Sequence, residues 1–562
     1  MKRQCFKIAF LLSFTITIFG SCSDILDETN RNDATGNNLY STAEGIEAVV
    51  NASYAGTRIW YGKVIGHLLT EAGTDEMLYG NTAGNTYPHY SYNNLLQPAN
   101  INSTGLHFVW KTFYRSINTC NTAIEKIPGS PISDDLKKVR EGEVRFLRAF
   151  YYYHLVETFG GIPLRTKATA EPEYEAVRAS VDDIYNQIIE DLKLSYEYLD
   201  GKVAPASERG RVIQPAAAAL LARVYLTRND NENALLYANK VINDYSFSLN
   251  NNYKALWDIN NSSGASNNEV IWFVNYSADN NLNDYGRYDD VGYFWLWEGG
   301  NHSHMLYLPN LNTPGLTGTL ETGRSLAQYM PSKYLIDLYD ERKDARFDGT
   351  FRMVWFANNP PDLPANMNLG DTVLVISKTP VSAAYRASKP YVIYDINDIY
   401  EADGKAKEPR WRYPALFKFH DPSRTNVNVV ESKRDAFVFR LAEMYLIAAE
   451  ASMKLSRNAE AAGYVNMVRE RAALPGKAAE MRIAATDINI DFLLDERSRE
   501  FAGEQLRWFD LKRTGKFTER LKKYNPDAAP NVQEYHTLRP IPQNEIDVLR
   551  NKSEFTQNPG YN

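Results

Sequence analysis

Apolar positions recur at three- and four-residue spacing in three parts of this 562-residue chain, a period that predicts amphipathic helices. The first part holds helices over 109–127, 134–158 and 181–199. The second runs over 216–244, and the third over 437–473 and on through 491–513. Ser41-Thr42-Ala43-Glu44 has the capping-box arrangement, so a further helix is expected to start there. Between the second and third parts, 246–435 has little helical repeat and is rich in Asn, Gly, Pro and aromatics. Such a stretch reads as long irregular loops, where binding surfaces concentrate. The tail, 526–562, is also irregular.

The second and third parts repeat one another. Ala218, Leu221, Ala222, Tyr225, Ala234, Ala238 and Val241 fit the small and bulky positions of a 34-residue helix–turn–helix unit. Tyr445, Ala448, Ala449, Ser452, Ala461, Val465 and Val468 fall in the same register, 227 residues later. Small residues let two antiparallel helices approach closely. Two units in one register favour tetratricopeptide-type pairs, which stack on neighbours and present surfaces to other proteins.

The N-terminus has a different pattern. Lys2, Arg3 and Lys7 precede an apolar run over 8–19, long enough for a signal-peptide core and too short to span a bilayer. Gly20-Ser21-Cys22 then places small residues before a cysteine, so residues 1–21 are expected to be a lipoprotein signal peptide and Cys22 the acylated first residue. With more than one acyl chain, at about 0.8 kcal/mol per buried CH2, that anchor would be effectively permanent. The acidic, Asn-rich segment 22–40 reads as a flexible tether, and 41–562 as one folded body. Cys120 is then the only thiol left besides Cys22, so stability rests on burial rather than on an intramolecular disulfide.

Composition narrows the function. Lys and Arg number 62 against 69 Asp and Glu, giving −7; losing the three cations of residues 1–21 gives −10. A nucleic-acid partner is not expected of such a surface. No phosphate-binding Gly-rich loop, H-E-x-x-H or G-x-S-x-G motif is present. His302 and His304 would share one face of an extended segment but lack a third ligand at motif spacing, so no metal is expected; no other cofactor is expected either. The acid pairs Asp75-Glu76, Asp182-Asp183 and Asp289-Asp290 are adjacent rather than opposed across a substrate. Asp182 and Asp183 suit the first turn of a helix, and Glu496 and Glu500 suit a salt-bridged helix face. Binding without catalysis is the reading these residues favour.

Aromatics supply the candidate site. Tyr (37) outnumbers Phe (24) and Trp (9) together. Tyr285, Tyr288, Tyr293, Phe294, Trp295, Trp297 and Tyr307 cluster among Asp, Glu, Asn and His, and Tyr79, Tyr87, Tyr90 and Tyr92 form a second patch with Asn81, Asn85 and His89. Flat rings cover the C–H face of a sugar while amides and carboxylates bond its hydroxyls. Peptide capture suits the same surface, and a hydrolase using Asp75 or Asp289 is the remaining alternative.

Several segments resemble the SusD/RagB family, lipoproteins that capture nutrients at the surface of Bacteroidetes. They are Glu143-Val-Arg-Phe-Leu-Arg-Ala-Phe-Tyr-Tyr152, Gly210-Arg211, Arg440-Leu-Ala-Glu-Met-Tyr445, LLDERSREFAGEQLRWFDLKRTG from Leu493, Leu538-Arg-Pro-Ile-Pro542 and Gln557-Asn-Pro-Gly-Tyr561. The resemblance implies a mostly α fold, with tetratricopeptide-type helix pairs and a long irregular ligand-binding segment. It further implies a lipid-anchored, outer-membrane location, a glycan ligand and a SusC-like TonB-dependent transporter as partner. By analogy, Asp75 in the 74–76 turn and Trp295, Trp297 and Glu298 are expected to contact ligand, and Tyr79, Tyr87 and Tyr293 are expected to do so as members of the aromatic patches. Arg352 is expected to bond hydroxyls or an acidic sugar, unless it pairs with Asp344 or Asp348.

Overall fold

The computed structural model describes residues 39–81, 88–100, 105–201, 208, 210–283, 299–310 and 312–561. Among these, the helices of ten or more residues are α1 (Ala43–Ala55), α2 (Leu106–Lys126), α3 (Asp134–Phe159), α4 (Val181–Tyr198), α5 (Gln214–Thr227), α6 (Asn231–Asp244), α7 (Leu441–Lys454), α8 (Asn458–Arg471) and α9 (Ile490–Phe501). Their starts follow local chemistry. The Thr42 hydroxyl accepts the Gly45 N–H, so α1 begins one residue later than a Ser41 cap would place it. Ser133 and Ser180 cap α3 and α4, and Asp182 and Asp183 occupy the first turn of α4, where the helix dipole favours them.

The repeat expected in the sequence is present to the residue. Both bounds of each helix in one pair recur 227 residues later: 214 and 441, 227 and 454, 231 and 458, 244 and 471. Each pair turns at a left-handed residue, Asn229 (φ 59°) or Ser456 (φ 61°). Distant in sequence, the pairs stack in space. Lys454 Nζ bonds Asn229 Oδ1 at 2.9 Å, Arg457 bonds Glu232 at 2.7 Å, and the Tyr464 hydroxyl bonds Asn239 at 2.8 Å. Helix α5 is buried on every side from Gln214 to Leu226, which its run of alanines permits by admitting close neighbours.

Two expectations are corrected. Residues 437–440 belong not to a helix but to strand β9 (Ala436–Arg440), antiparallel to β2 (Val270–Val274); short buried apolar runs do not reveal their period. The stretch 246–435 is also less irregular than expected. Besides β2 it holds β3 (Tyr329–Pro331), β4 (Phe351–Arg352), β5 (Val354–Phe356), β6 (Thr372–Ser377), β7 (Val392–Asp395) and β8 (Ala415–Leu416). Strand β3 pairs with β1 (Met77–Tyr79), β4 with β8, and β5–β6–β7 form a three-stranded sheet.

Two large apolar clusters result. One joins the helices to the tail through Val532, Ile541, Phe555 and Tyr561; the other gathers Val64, Leu68 and Met77 with Trp355, Leu374 and Tyr413. Cys120 is sealed in the first cluster and burial pushes its thiol up to about 12, so it packs as an apolar residue. No helix among the described residues is long and apolar enough to cross a membrane.

Candidate ligand-binding site

Charged residues of the helices pair with one another inside the fold. Arg148 grips Asp191 through two bonds of 2.7 and 2.8 Å, tying α3 to α4. Arg223 of α5 does the same to Glu443 of α7 at 2.7 and 2.8 Å. Glu496 receives Arg346, Arg469 and Arg499, while Glu500 receives Arg346, Arg440 and Arg471. Burial would raise both carboxyls; the guanidiniums overcome it, holding Glu496 well below its ordinary range and Glu500 at about 2. These acids are ion-paired as expected, but in the interior.

Asp75 belongs with them, and its expected contact with ligand is not what the geometry gives. Its carboxylate has no exposed surface, takes two bonds of 2.6 Å from Arg507 and one of 2.8 Å from Arg520. Burial opposes its charge, yet the two arginines hold it below the usual carboxylate range. Sequence adjacency to exposed-looking Thr and Gly gave no hint of partners more than 430 residues away.

A second buried acid pair behaves oppositely. The Glu71 carboxyl is buried and joins no ion pair among the described residues, and burial, reinforced by neighbouring Glu76, pushes it well above the ordinary range. Burial likewise raises Glu76 from 4.5 to about 7. Raised carboxyls stabilise the fold fully below their unfolded values and lose that contribution as pH climbs through the folded ones. Six histidines whose values burial lowers (His67, His154, His302, His304, His420 and His536) run the other way over the same range, so the carboxyl effect is read as a difference. The stability of Glu71→Gln relative to the native protein is expected to rise from pH 5 to pH 8; a difference that does not change with pH would contradict this.

Tyr79 stands at a different kind of place. It ends β1, paired with Tyr329, and its half-buried ring lies against the Arg410 guanidinium, 3.4 Å from the ring centre. Arg410 is itself immobilised by Asp527 (2.6 and 2.9 Å), Glu408 (2.9 Å) and the Tyr79 carbonyl (2.8 Å). The next residue, Trp411, is 41% exposed, and its indole N–H donates to Asn81 Oδ1 at 2.9 Å. Arg412 then anchors the segment to the carbonyls of Asn310 and Asn312. An exposed indole is thus bonded to Asn81, two residues from Tyr79, and follows the immobilised Arg410 that covers the Tyr79 ring. Sequence reasoning missed Trp411; a tryptophan between two arginines and two prolines (Pro409-Arg-Trp-Arg-Tyr-Pro414) was the available signal.

The other sequence-derived candidates separate. Arg352 pairs with neither Asp344 nor Asp348, which go to Arg346 and Lys254; it lines a cleft of its own. Tyr90, Tyr92 and Tyr307 are sealed in the core rather than offered to ligand: the Tyr90 hydroxyl donates to the Gln328 carbonyl, and that of Tyr307 meets His67 at 2.7 Å. His302 and His304 are buried and, chiefly through desolvation, held neutral, His304 at about 3. No group of three or more His, Cys, Asp or Glu placed to hold a metal occurs among the described residues. Cys22, Tyr87, Tyr293, Trp295, Trp297 and Glu298 lie outside the described residues.

The family described as "SusD family" matches residues 268–561, and that described as "Starch-binding associating with outer membrane" matches residues 26–226. SusD-like protein P2 of Formosa agariphila is 28% identical, covering 100% of both chains. Starch-binding protein SusD of Bacteroides thetaiotaomicron is 24% identical over 79% of this chain and 76% of its own. Surface glycan-binding protein A of Bacteroides thetaiotaomicron, solved with laminarihexaose, superposes with a TM-score of 0.66 at 22% identity. The superposition covers 92% of this chain and 99% of that one, which shows a common fold. With the SusD family profile spanning more than half its length, the chain belongs to the SusD family.

Proposed function

We propose that this protein captures oligosaccharides at the outer-membrane surface, anchored by acyl chains on Cys22, and passes them to a SusC-like TonB-dependent transporter. The observation that carries the reading is the exposed Trp411 ring, bonded to Asn81 and following the Arg410 that covers the Tyr79 ring. An indole so held loses little conformational freedom on stacking a sugar, so more of the contact survives as affinity. The glycan-binding and starch-binding descriptions of its relatives support the same ligand class. The stacked helix pairs offer the kind of regular face that binds another protein. The protein acts by binding rather than catalysis: Glu496 and Glu500 are committed to arginines, and Asp182 and Asp183 sit in one helical turn instead of facing each other across a cleft.

Affinity electrophoresis through gels containing laminarin, starch, xylan or pectin tests the ligand class. Retarded migration in at least one gel is expected; retardation in none, with peptide pools binding in calorimetry, would replace glycan by peptide. For the anchor, Cys22→Ala is expected to move the protein from the membrane pellet to the soluble fraction. Persistence in the pellet would contradict acylation.

A further inference from the structure

Arg352 lines a cleft of about 720 Å³, apart from the Tyr79–Trp411 patch. Strand pairing sets its wall: Arg352 lies opposite Ala415, which brings the guanidinium 4.3 Å from the ring centre of Phe417. That ring is stacked in turn on His420, with centroids 4.1 Å apart and planes within 19°. Phe356 stands on the same cleft. Strand β5 points Trp355 into the core, and a register irregularity between Trp355 and Phe356 accompanies a phenyl ring left 48% exposed.

The charge on Arg352 is incompletely answered. Its Nη1 donates to the Glu321 carbonyl at 2.9 Å, and its Nη2 lies 4.0 Å from a Glu321 carboxylate whose side chain is 85% exposed. Among the described residues neither Nε nor Nη2 has an acceptor at hydrogen-bond distance. Burial lowers the pKa of this guanidinium, as expected of a cation short of a counter-charge. Of the four acids on the cleft walls, Asp344 and Asp348 are neutralised by Arg346 and Lys254. Glu341 and Asp258 remain, and they disfavour a densely charged polymer.

Building on the glycan reading above, we infer that this cleft receives an isolated acidic unit of a glycan, its carboxylate or sulfate on Arg352 and its ring on Phe356. An arginine fork matches both anions, and an exposed ring on the same cleft matches a pyranose face. The cleft would thereby select among glycans that the Trp411 patch alone holds less discriminately.

An array of neutral, uronate-bearing and sulfated oligosaccharides, probed with the native sequence, Arg352→Gln, Phe356→Ala and Trp411→Ala, tests this. The native protein is expected to bind at least one sparsely acidic oligosaccharide tenfold or more tightly than its uncharged counterpart. Arg352→Gln should abolish that preference with an unchanged unfolding midpoint, and Phe356→Ala should weaken acidic ligands alone. Neutral binding without acid preference, or a preference surviving Arg352→Gln, would overturn the inference while leaving glycan capture intact. Failure of the native protein to bind any glycan would overturn both.

Discussion

Trp411→Ala is expected to weaken oligosaccharide binding by about tenfold or more, since a well-packed aromatic anchor commonly contributes 2 kcal/mol or more to an interface. The loss should appear in calorimetry on whichever glycan retards the protein, with no shift in the unfolding midpoint, because the ring is 41% exposed and makes one side-chain hydrogen bond. Asn81→Ala should reproduce part of the loss by freeing the indole without removing it. Unchanged affinity in Trp411→Ala would move the platform elsewhere on the molecule.

Asp75→Asn is expected to do the reverse. Removing this carboxylate takes the bidentate partner from buried Arg507, while Arg520 keeps Asp491 and Asp495; breaking a buried pair in this way costs up to about 3–5 kcal/mol. Glu76, 3.2 Å from Arg507, offsets part of the cost if it ionises. Denaturant titration should show the lower midpoint, while the folded fraction keeps its glycan affinity. A variant of native stability that fails to bind would return Asp75 to the ligand site.

These two residues show where the sequence was not legible, and the helices show where it was. Helices 134–159 and 181–198 could be read because a 3.6-residue period is a local property, and Ser133 and Ser180 mark their starts. The repeated pairs were legible for the same reason, with alanines falling in one register. Strand β9 was not, because a run of five residues, four of them buried, carries no period that distinguishes strand from helix. Site chemistry failed differently. Asp75 resembled a surface acid until the fold brought two arginines from the far end of the chain onto it. Trp411 was overlooked because its platform is assembled from separated segments: Tyr79 and Asn81 from one, Arg410 and Trp411 from another. The density of aromatic residues in a window, used to choose 79–92 and 285–307, also marks core, as Tyr90, Tyr92 and Tyr307 demonstrate.

The arginine–carboxylate motifs thus hold the helices in place, and the strands carry Tyr79 and Arg352 to separate surfaces. A crystal structure of the full folded chain with the tightest-binding oligosaccharide from the electrophoresis panel tests that division most directly. Sugar stacked on Trp411, with Tyr79 or Asn81 in contact, is the expected result. Sugar seated on the paired helices, with Trp411 bare, would contradict it.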